Sequence, residues 1–185
     1  MVIPIQQQKD GVLDKAYDLK DKLSKDFRVK IDATDKTPGW KFAAQEVQGI
    51  STRIEIGPKD IEKNQCVLVR RDNREKIFVP LDELETKIPE LLQAVHDGMY
   101  QKALERRESM TYAVTGGMDE MIEAANTRPG FIKAAWCGEL ECEERLKEEA
   151  GVSSRCMPFE QEHVSATCVC CGKPAKTTLI WGKAY

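Results

Sequence analysis

Two pairs of closely spaced cysteines constrain this chain more than any other feature. Cys137 and Cys142 stand in C-G-E-L-E-C, and Cys168 and Cys171 stand in C-V-C-C-G-K-P. Two residues separate the second pair and a glycine follows it directly, a turn in which two thiolates and the turn amides converge on one ion. Zinc takes four such ligands in a tetrahedron, and a site filled entirely by protein ligands is structural rather than catalytic. Cys170, wedged inside the second pair, is an alternative to Cys171, which is preferred because it precedes the turn glycine. His163 is a further candidate ligand but stands outside both pairs. The surrounding segment is short and polar, so an ion is expected to supply stability that its core cannot. A redox dithiol would open a helix after a strand, whereas Gly172-Lys173-Pro174 breaks helix here. A thiol enzyme would require a reactive cysteine of low pKa.

The 185 residues suffice for one large domain or two small ones. Seven cysteines, an odd number, argue against a complete disulfide set and for metal. No apolar run approaches the roughly 20 residues that cross a bilayer. The opening M-V-I-P-I-Q-Q-Q lacks the basic region and apolar length of a signal peptide. The expectation is therefore a cytoplasmic chain with reduced thiols and no membrane partner. With 28 basic and 31 acidic residues the net charge is −3, which excludes a polycationic binder that ignores sequence. It leaves room for a protein that reads a few bases at a local basic site. Basic residues do cluster at Arg70-Arg71-Asp72-Asn73-Arg74-Glu75-Lys76, a composition that also suits a solvated strand-turn-strand.

Periodicity organises the first half. Val2–Ile5 reads as the remnant of a longer strand, so the chain is expected to be truncated there. Val12, Ala16, Leu19 and Leu23 share one helical face. Arg28–Asp32 alternates as a half-buried strand. Trp40–Gln48 reads as a short helix ended by Gly49. Ser51–Ile56 alternates again, with Thr52, Ile54 and Ile56 on one face and Arg53 and Glu55 on the other. Gly57-Pro58-Lys59-Asp60 turns the chain, and Cys66–Val69 with Lys76–Val79 forms a hairpin around Asp72-Asn73. From Leu81 to about Ser109 the pattern is helical, with Ile88, Leu91, Leu92, Val95 and Met99 on one stripe and Pro89 in the first turn of a helix after a break. This order predicts a mixed α/β sheet domain. In the second half, Met118–Ala125 and Glu139–Ala150 read as helices, and Phe131–Trp136, Arg155–Phe159 and Thr177–Trp181 as strands. Cys66 and Cys156 are expected in the core.

No catalytic constellation emerges. His96 and His163 neighbour no nucleophile, and Thr115-Gly116-Gly117 lacks the lysine and preceding strand of a phosphate loop. What remains is a set of polar residues at strand ends: Glu46, Arg53, Lys59, Asp60 and Lys76. Arginine and lysine read guanine O6 and N7, and carboxylates read amino or imino donors, although ordinary surface ion pairing uses the same residues.

Three segments carry a resemblance: Pro38-Gly39-Trp40-Lys41-Phe42, Arg53-Ile54-Glu55-Ile56-Gly57-Pro58-Lys59-Asp60 and the closing Trp181-Gly182-Lys183-Ala184-Tyr185. With the spacing of the two cysteine pairs, they resemble the C-terminal part of prolyl-tRNA synthetase in its eukaryotic/archaeal-like form, across essentially the whole chain. The resemblance implies a mixed-sheet class II synthetase anticodon-binding domain at residues 1–105, followed by a small α+β zinc-binding domain at 106–185. It implies tRNA(Pro) as partner, rather than DNA, with Glu46, Arg53, Lys59, Asp60 and Lys76 at the two guanines of the proline anticodon. It implies Cys137, Cys142, Cys168 and Cys171 as ligands of structural Zn2+. The carboxylate of Tyr185 is expected to pack toward the catalytic domain. That core, which would use ATP and Mg2+ to attach proline and would carry most of a homodimer interface, is expected to lie outside these residues, leaving this chain non-catalytic. The rival from another class is a stand-alone synthetase-like, zinc-stapled module that binds a protein and prefers no tRNA.

Overall fold

The computed structural model describes residues 1–183, and the expectation for Tyr185 lies outside the described residues. The chain divides into two compact units, Met1–Gln101 and a second beginning at Lys102. The division falls inside one long helix, Leu84–Ser109.

The first unit is a four-stranded sheet in the order β1-β2-β3-β4. Its strands are β1 (Val2–Pro4), β2 (Thr52–Ile56), β3 (Gln65–Arg70) and β4 (Lys76–Pro80). The first pair is parallel and the others antiparallel, giving a mixed sheet. The chain order places α1 (Val12–Leu23), α2 (Pro38–Val47) and α3 (Pro58–Glu62) among these strands, with α4 (Leu84–Ser109) after them. The two faces of the sheet differ in chemistry because side chains alternate along a strand. One face aligns Val2, Ile54, Leu68 and Ile77 in a single row across all four strands. These residues pack with Ala16, Leu19 and Leu23 of α1 and with Leu84, Ile88 and Leu91 of α4. The other face aligns Arg53, Val69 and Lys76 in one row and Glu55, Val67 and Phe78 in the next.

Several expectations change here. Arg28–Asp32 forms a single bridge, Ile31 to Val2, instead of a strand. It meets the three-residue edge strand β1 through Val2 N–H to Lys30 O and Asp32 N–H to Val2 O. Gly57–Asp60 is the start of α3, where the Gly57 N–H donates to Asp60 Oδ2 at 2.9 Å. Pro89 lies inside α4, with no break before it. Leu84 and Ile88 on one side of it and Leu91 and Val95 on the other are buried and hold the turns in place. Leu92 and Met99 are exposed, Leu92 because it lies beside the buried stripe of Leu84, Ile88, Leu91 and Val95, and Met99 because it lies beyond the end of that stripe.

The second unit is a sheet in the order β5-β6-β8-β7. Its strands are β5 (Thr111–Ala113), β6 (Phe131–Trp136), β7 (Val152–Cys156) and β8 (Thr177–Lys183). Two helices accompany them, α5 (Met118–Thr127) and α6 (Leu140–Arg145), and α6 runs into one π-helical turn at Leu146–Ala150. Ile132 pairs with Trp181 and Ala134 with Leu179, and these side chains meet Met121, Leu146 and Val152 in the core. Trp181 is fully buried, its indole N–H donating to Ala134 O at 3.4 Å. Gly130 enters β6 at φ 130°, where a Cβ would collide with the Met110 carbonyl, so only glycine fits that approach. Strand β5 went unread because three residues are too few to show a period. The expected strand at Arg155–Phe159 sits earlier, at Val152–Cys156, and the acidic helix ends in a π turn.

Cys66 is fully buried as expected, and Cys156 is not. It lies on the outermost strand, at a register shift between Ser154 and Cys156. Burial, with Asp60 nearby, pushes the Cys66 thiol up to about 12. An alkylating reagent is expected to label Cys156 quickly and Cys66 only after unfolding, because the thiolate is the nucleophile and needs access. Peptide mass spectrometry of the native protein checks this, and rapid labelling of Cys66 would contradict the packing described.

Candidate metal centre and nucleic-acid interface

The metal centre is assembled by the end of β6, the start of α6 and a tight turn before β8. Cys137 follows Trp136 directly, and Cys142 sits in the first turn of α6. The second pair closes through Gly172, whose φ of 71° bends the chain so that its N–H donates to Cys168 O at 2.9 Å. In return the Cys168 N–H donates to Lys173 O at 2.8 Å. The sulphurs of Cys137, Cys142, Cys168 and Cys171 all lie within 4.8 Å of one another. Cys137 Sγ is 3.6 Å from Cys142 Sγ and 3.8 Å from Cys171 Sγ. A tetrahedron with zinc–sulphur bonds of about 2.3 Å has edges of about 3.8 Å, close to these two separations, so the four sulphurs could hold a metal ion.

The electrostatics agree with that geometry. Cys137, Cys142 and Cys168 are buried, and Cys171 closes the group at the surface. Burial raises the thiols of Cys137 and Cys142, since a lone thiolate there would lose its hydration. The Lys173 backbone amide lowers Cys171 to about 7. A divalent cation would offset the burial of three thiolates and the charge of all four in a way that no side chain in the group does. Cys170 packs against the cluster without joining the four mutually close sulphurs. His163 is solvent-exposed and contributes no atom to the group.

The second candidate site is the polar face of the first sheet. Arg53, the second residue of β2, is buried although charged, and its partners explain why. Its Nε donates to Glu55 Oε1 at 2.8 Å, and its Nη1 lies 3.3 Å from Gln45 Oε1 and 3.6 Å from Glu46 Oε1. The guanidinium stands 4.2 Å from the centre of the Phe42 ring. Helix α2 supplies Phe42, Gln45 and Glu46 from one stripe, and Gln45 is held in turn by the Ile50 carbonyl. Thr37 caps that helix, its hydroxyl accepting from the Trp40 N–H. From β4 and the preceding turn, Lys76 Nζ lies 3.4 Å from Glu55 Oε2, and Arg74 Nη2 lies 3.3 Å from Glu46 Oε2. Two carboxylates thus alternate with three cations in one network.

Of the five strand-end residues, this network unites Glu46, Arg53 and Lys76. Lys59 and Asp60 belong to α3, where Lys59 is exposed and Asp60 caps the helix, and neither is ion-paired to the network among the described residues. Glu55, Gln45 and Arg74 were missed as members. Glu55 had a legible signal, since strand alternation places it on the same face as Arg53. Gln45 and Arg74 had none, because only the packing of α2 and the hairpin turn brings them there. Trp40 and Phe78 expose aromatic surface, at 52% and 66%, and Phe78 follows Lys76 by two residues on the same side of β4.

Residues 1–91 match a family model described as an anticodon-binding domain. Residues 118–185 match one described as the C-terminal part of prolyl-tRNA synthetase. The chain is 66% identical to a proline–tRNA ligase of Agathobacter rectalis, over all of this chain and 39% of that protein. It is 59% identical to a proline–tRNA ligase of Clostridium novyi, over all of this chain and 38% of that protein. A proline–tRNA ligase 2 of Bacillus thuringiensis is 58% identical, with 39% of its length covered. The chain therefore spans well under half the length of these relatives. The polar network lies in the segment that matches the anticodon-binding model, and the four cysteines lie in the segment that matches the C-terminal model. The chain belongs to the prolyl-tRNA synthetase family and corresponds to its anticodon-binding domain and C-terminal region.

Proposed function

We propose that the first unit reads the guanines of a proline tRNA anticodon and that the second is held together by structural zinc. The observation that carries the first reading is the Arg53–Glu46 pair on the polar face of the first sheet, where α2 packs against β2. A guanine presents O6 and N7 as acceptors and N1–H and N2–H2 as donors. Arg53 supplies donors and Glu46 acceptors, side by side and only 3.6 Å apart. That contact is the loosest around Arg53, so a base edge can replace it without disturbing the 2.8 Å bond to Glu55. Lys76, and Lys59 with Asp60 from α3, complete the proposed set. Arg74, 78% exposed at the hairpin turn, suits a phosphate, and Phe78 and Trp40 offer faces for unstacked bases.

In the second unit Cys137, Cys142, Cys168 and Cys171 hold the ion. Zinc supplies four fixed bonds and no redox chemistry. The chain's own residues join the end of β6, α6 and the turn before β8. Within the longer protein, this region would deliver tRNA(Pro) to a core that attaches proline using ATP and Mg2+, in a homodimer. No helix among the described residues is long and apolar enough to cross a membrane. A cytoplasmic protein with tRNA as its nucleic-acid partner is the setting proposed.

The test is binding of the zinc-loaded chain to a proline anticodon stem-loop and to the same loop with both guanines replaced by adenine. The guanine loop is expected to bind about 10-fold or more tightly, since good bidentate base contacts discriminate by roughly 1–3 kcal/mol each. Both complexes should weaken as salt rises. Equal binding would favour the protein-interaction module instead.

A further inference from the structure

Arg53 can offer a base two different edges: the side-on pair Nε and Nη, or the terminal pair Nη1 and Nη2. The structure decides between them. Glu55 Oε1 takes the Nε hydrogen at 2.8 Å, which withdraws the side-on edge and leaves the terminal edge, whose Nη1 lies 3.3 Å from Gln45 Oε1 and 3.6 Å from Glu46 Oε1. The same carboxylate reaches Lys76 Nζ through Oε2 at 3.4 Å. Arg53 and Glu55 share one face of β2, and the register aligns Arg53 with Val69 and Lys76 in one row, with Glu55 in the next. Glu55 is buried, with its two oxygens divided between two cations that would otherwise repel across the site.

We infer that Glu55 is a positioning residue for anticodon discrimination: it holds Arg53 end-on and spaces Arg53 from Lys76, without touching the base itself. This inference rests on the reading of this face as the anticodon interface. A buried carboxylate beside an RNA-binding surface repels phosphate, so a residue kept there for affinity alone would be counterproductive. Its geometry suits selectivity. Removing the charge should therefore separate two quantities that a general loss of structure would lower together.

The experiment is Glu55→Gln, which preserves the side-chain shape, measured in the zinc-loaded chain with the guanine and adenine stem-loops. The guanine preference is expected to fall by about 10-fold, a discrimination of one bidentate contact. Affinity for the adenine loop is expected to stay equal or rise, with a steeper salt dependence, because one negative charge has left the site. In parallel, the Arg53 Nε–H signal in the nitrogen-15 spectrum should lose its protection from solvent exchange, more so in Glu55→Ala. A preference kept intact by Glu55→Gln, or equal losses for both loops, would overturn the positioning role. Should the unaltered chain itself show no guanine preference, the anticodon reading falls, and this inference with it.

Discussion

Stripping zinc from the loaded chain with a strong chelator is expected to release one equivalent of metal and to open residues 131–183, while the sheet of residues 2–80 stays folded. The reason lies in where the ligands sit. Cys137, Cys142 and Cys168 form a small buried cluster, with the partly buried Trp136 and Cys170 packed against it. Without an ion, four sulphurs at this spacing have only weak S–H contacts to replace four metal bonds. Structural zinc contributes about 10–16 kcal/mol to isolated zinc-finger peptides. The effect here should be smaller, on the order of 5 kcal/mol, because Met121, Leu146 and Trp181 give the second unit a core of its own. Cys142→Ser should mimic chelation, and Cys171→Ser should do so more mildly, since Cys171 lies at the surface. Metal analysis together with hydrogen exchange followed by mass spectrometry checks both parts. Full protection of β6 and β8 in the metal-free protein would remove zinc from the account of this fold. Retention of zinc by Cys171→Ser would make Cys170 the fourth ligand.

The second large effect is expected from Arg53. Arg53→Ala should weaken binding of the guanine stem-loop by about 1–3 kcal/mol and abolish most of the preference over adenine. Stability should fall as well, by about 1–3 kcal/mol, because Gln45 and Glu55 lose their partner in a desolvated place. Arg53→Lys separates the two effects. Lysine keeps the charge but lacks the planar fork that satisfies Glu55 and a base edge together. It should preserve affinity for the adenine loop and lose the preference for guanine. Titration by fluorescence anisotropy beside thermal denaturation measures both quantities. An unchanged guanine preference in Arg53→Lys would show that the charge alone matters at this position.

Much of the first unit was legible because its signals are local. Val12, Ala16, Leu19 and Leu23 repeat at the helical period, and all four are buried. The alternation of β2 placed Arg53 and Glu55 on one face, and the hairpin of β3 and β4 turns where Asp72-Asn73 stands. What failed was each inference that needed a neighbour. Arg28–Asp32 has a strand's alternation but only a three-residue edge to pair with. Cys156 sits in a strand, yet that strand is the outermost and is displaced in register, so the thiol faces out. Pro89 signals a break, but burial of the residues around it carries the helix through.

The sequence by itself determined the kind of chemistry available. Cysteine spacing announces a tetrahedral site, and alternating strands with an amphipathic helix announce a mixed sheet, because both depend on residues close along the chain. Tertiary structure alone decided which side chains act together. Gln45, Glu46, Arg53, Glu55, Arg74 and Lys76 come from a helix, two strands and a turn, and only packing makes one network of them. The physical reason is that an ion pair is a short-range contact across space. Its partners are chosen by sheet register and by the docking of α2, neither of which is written in any local stretch of residues.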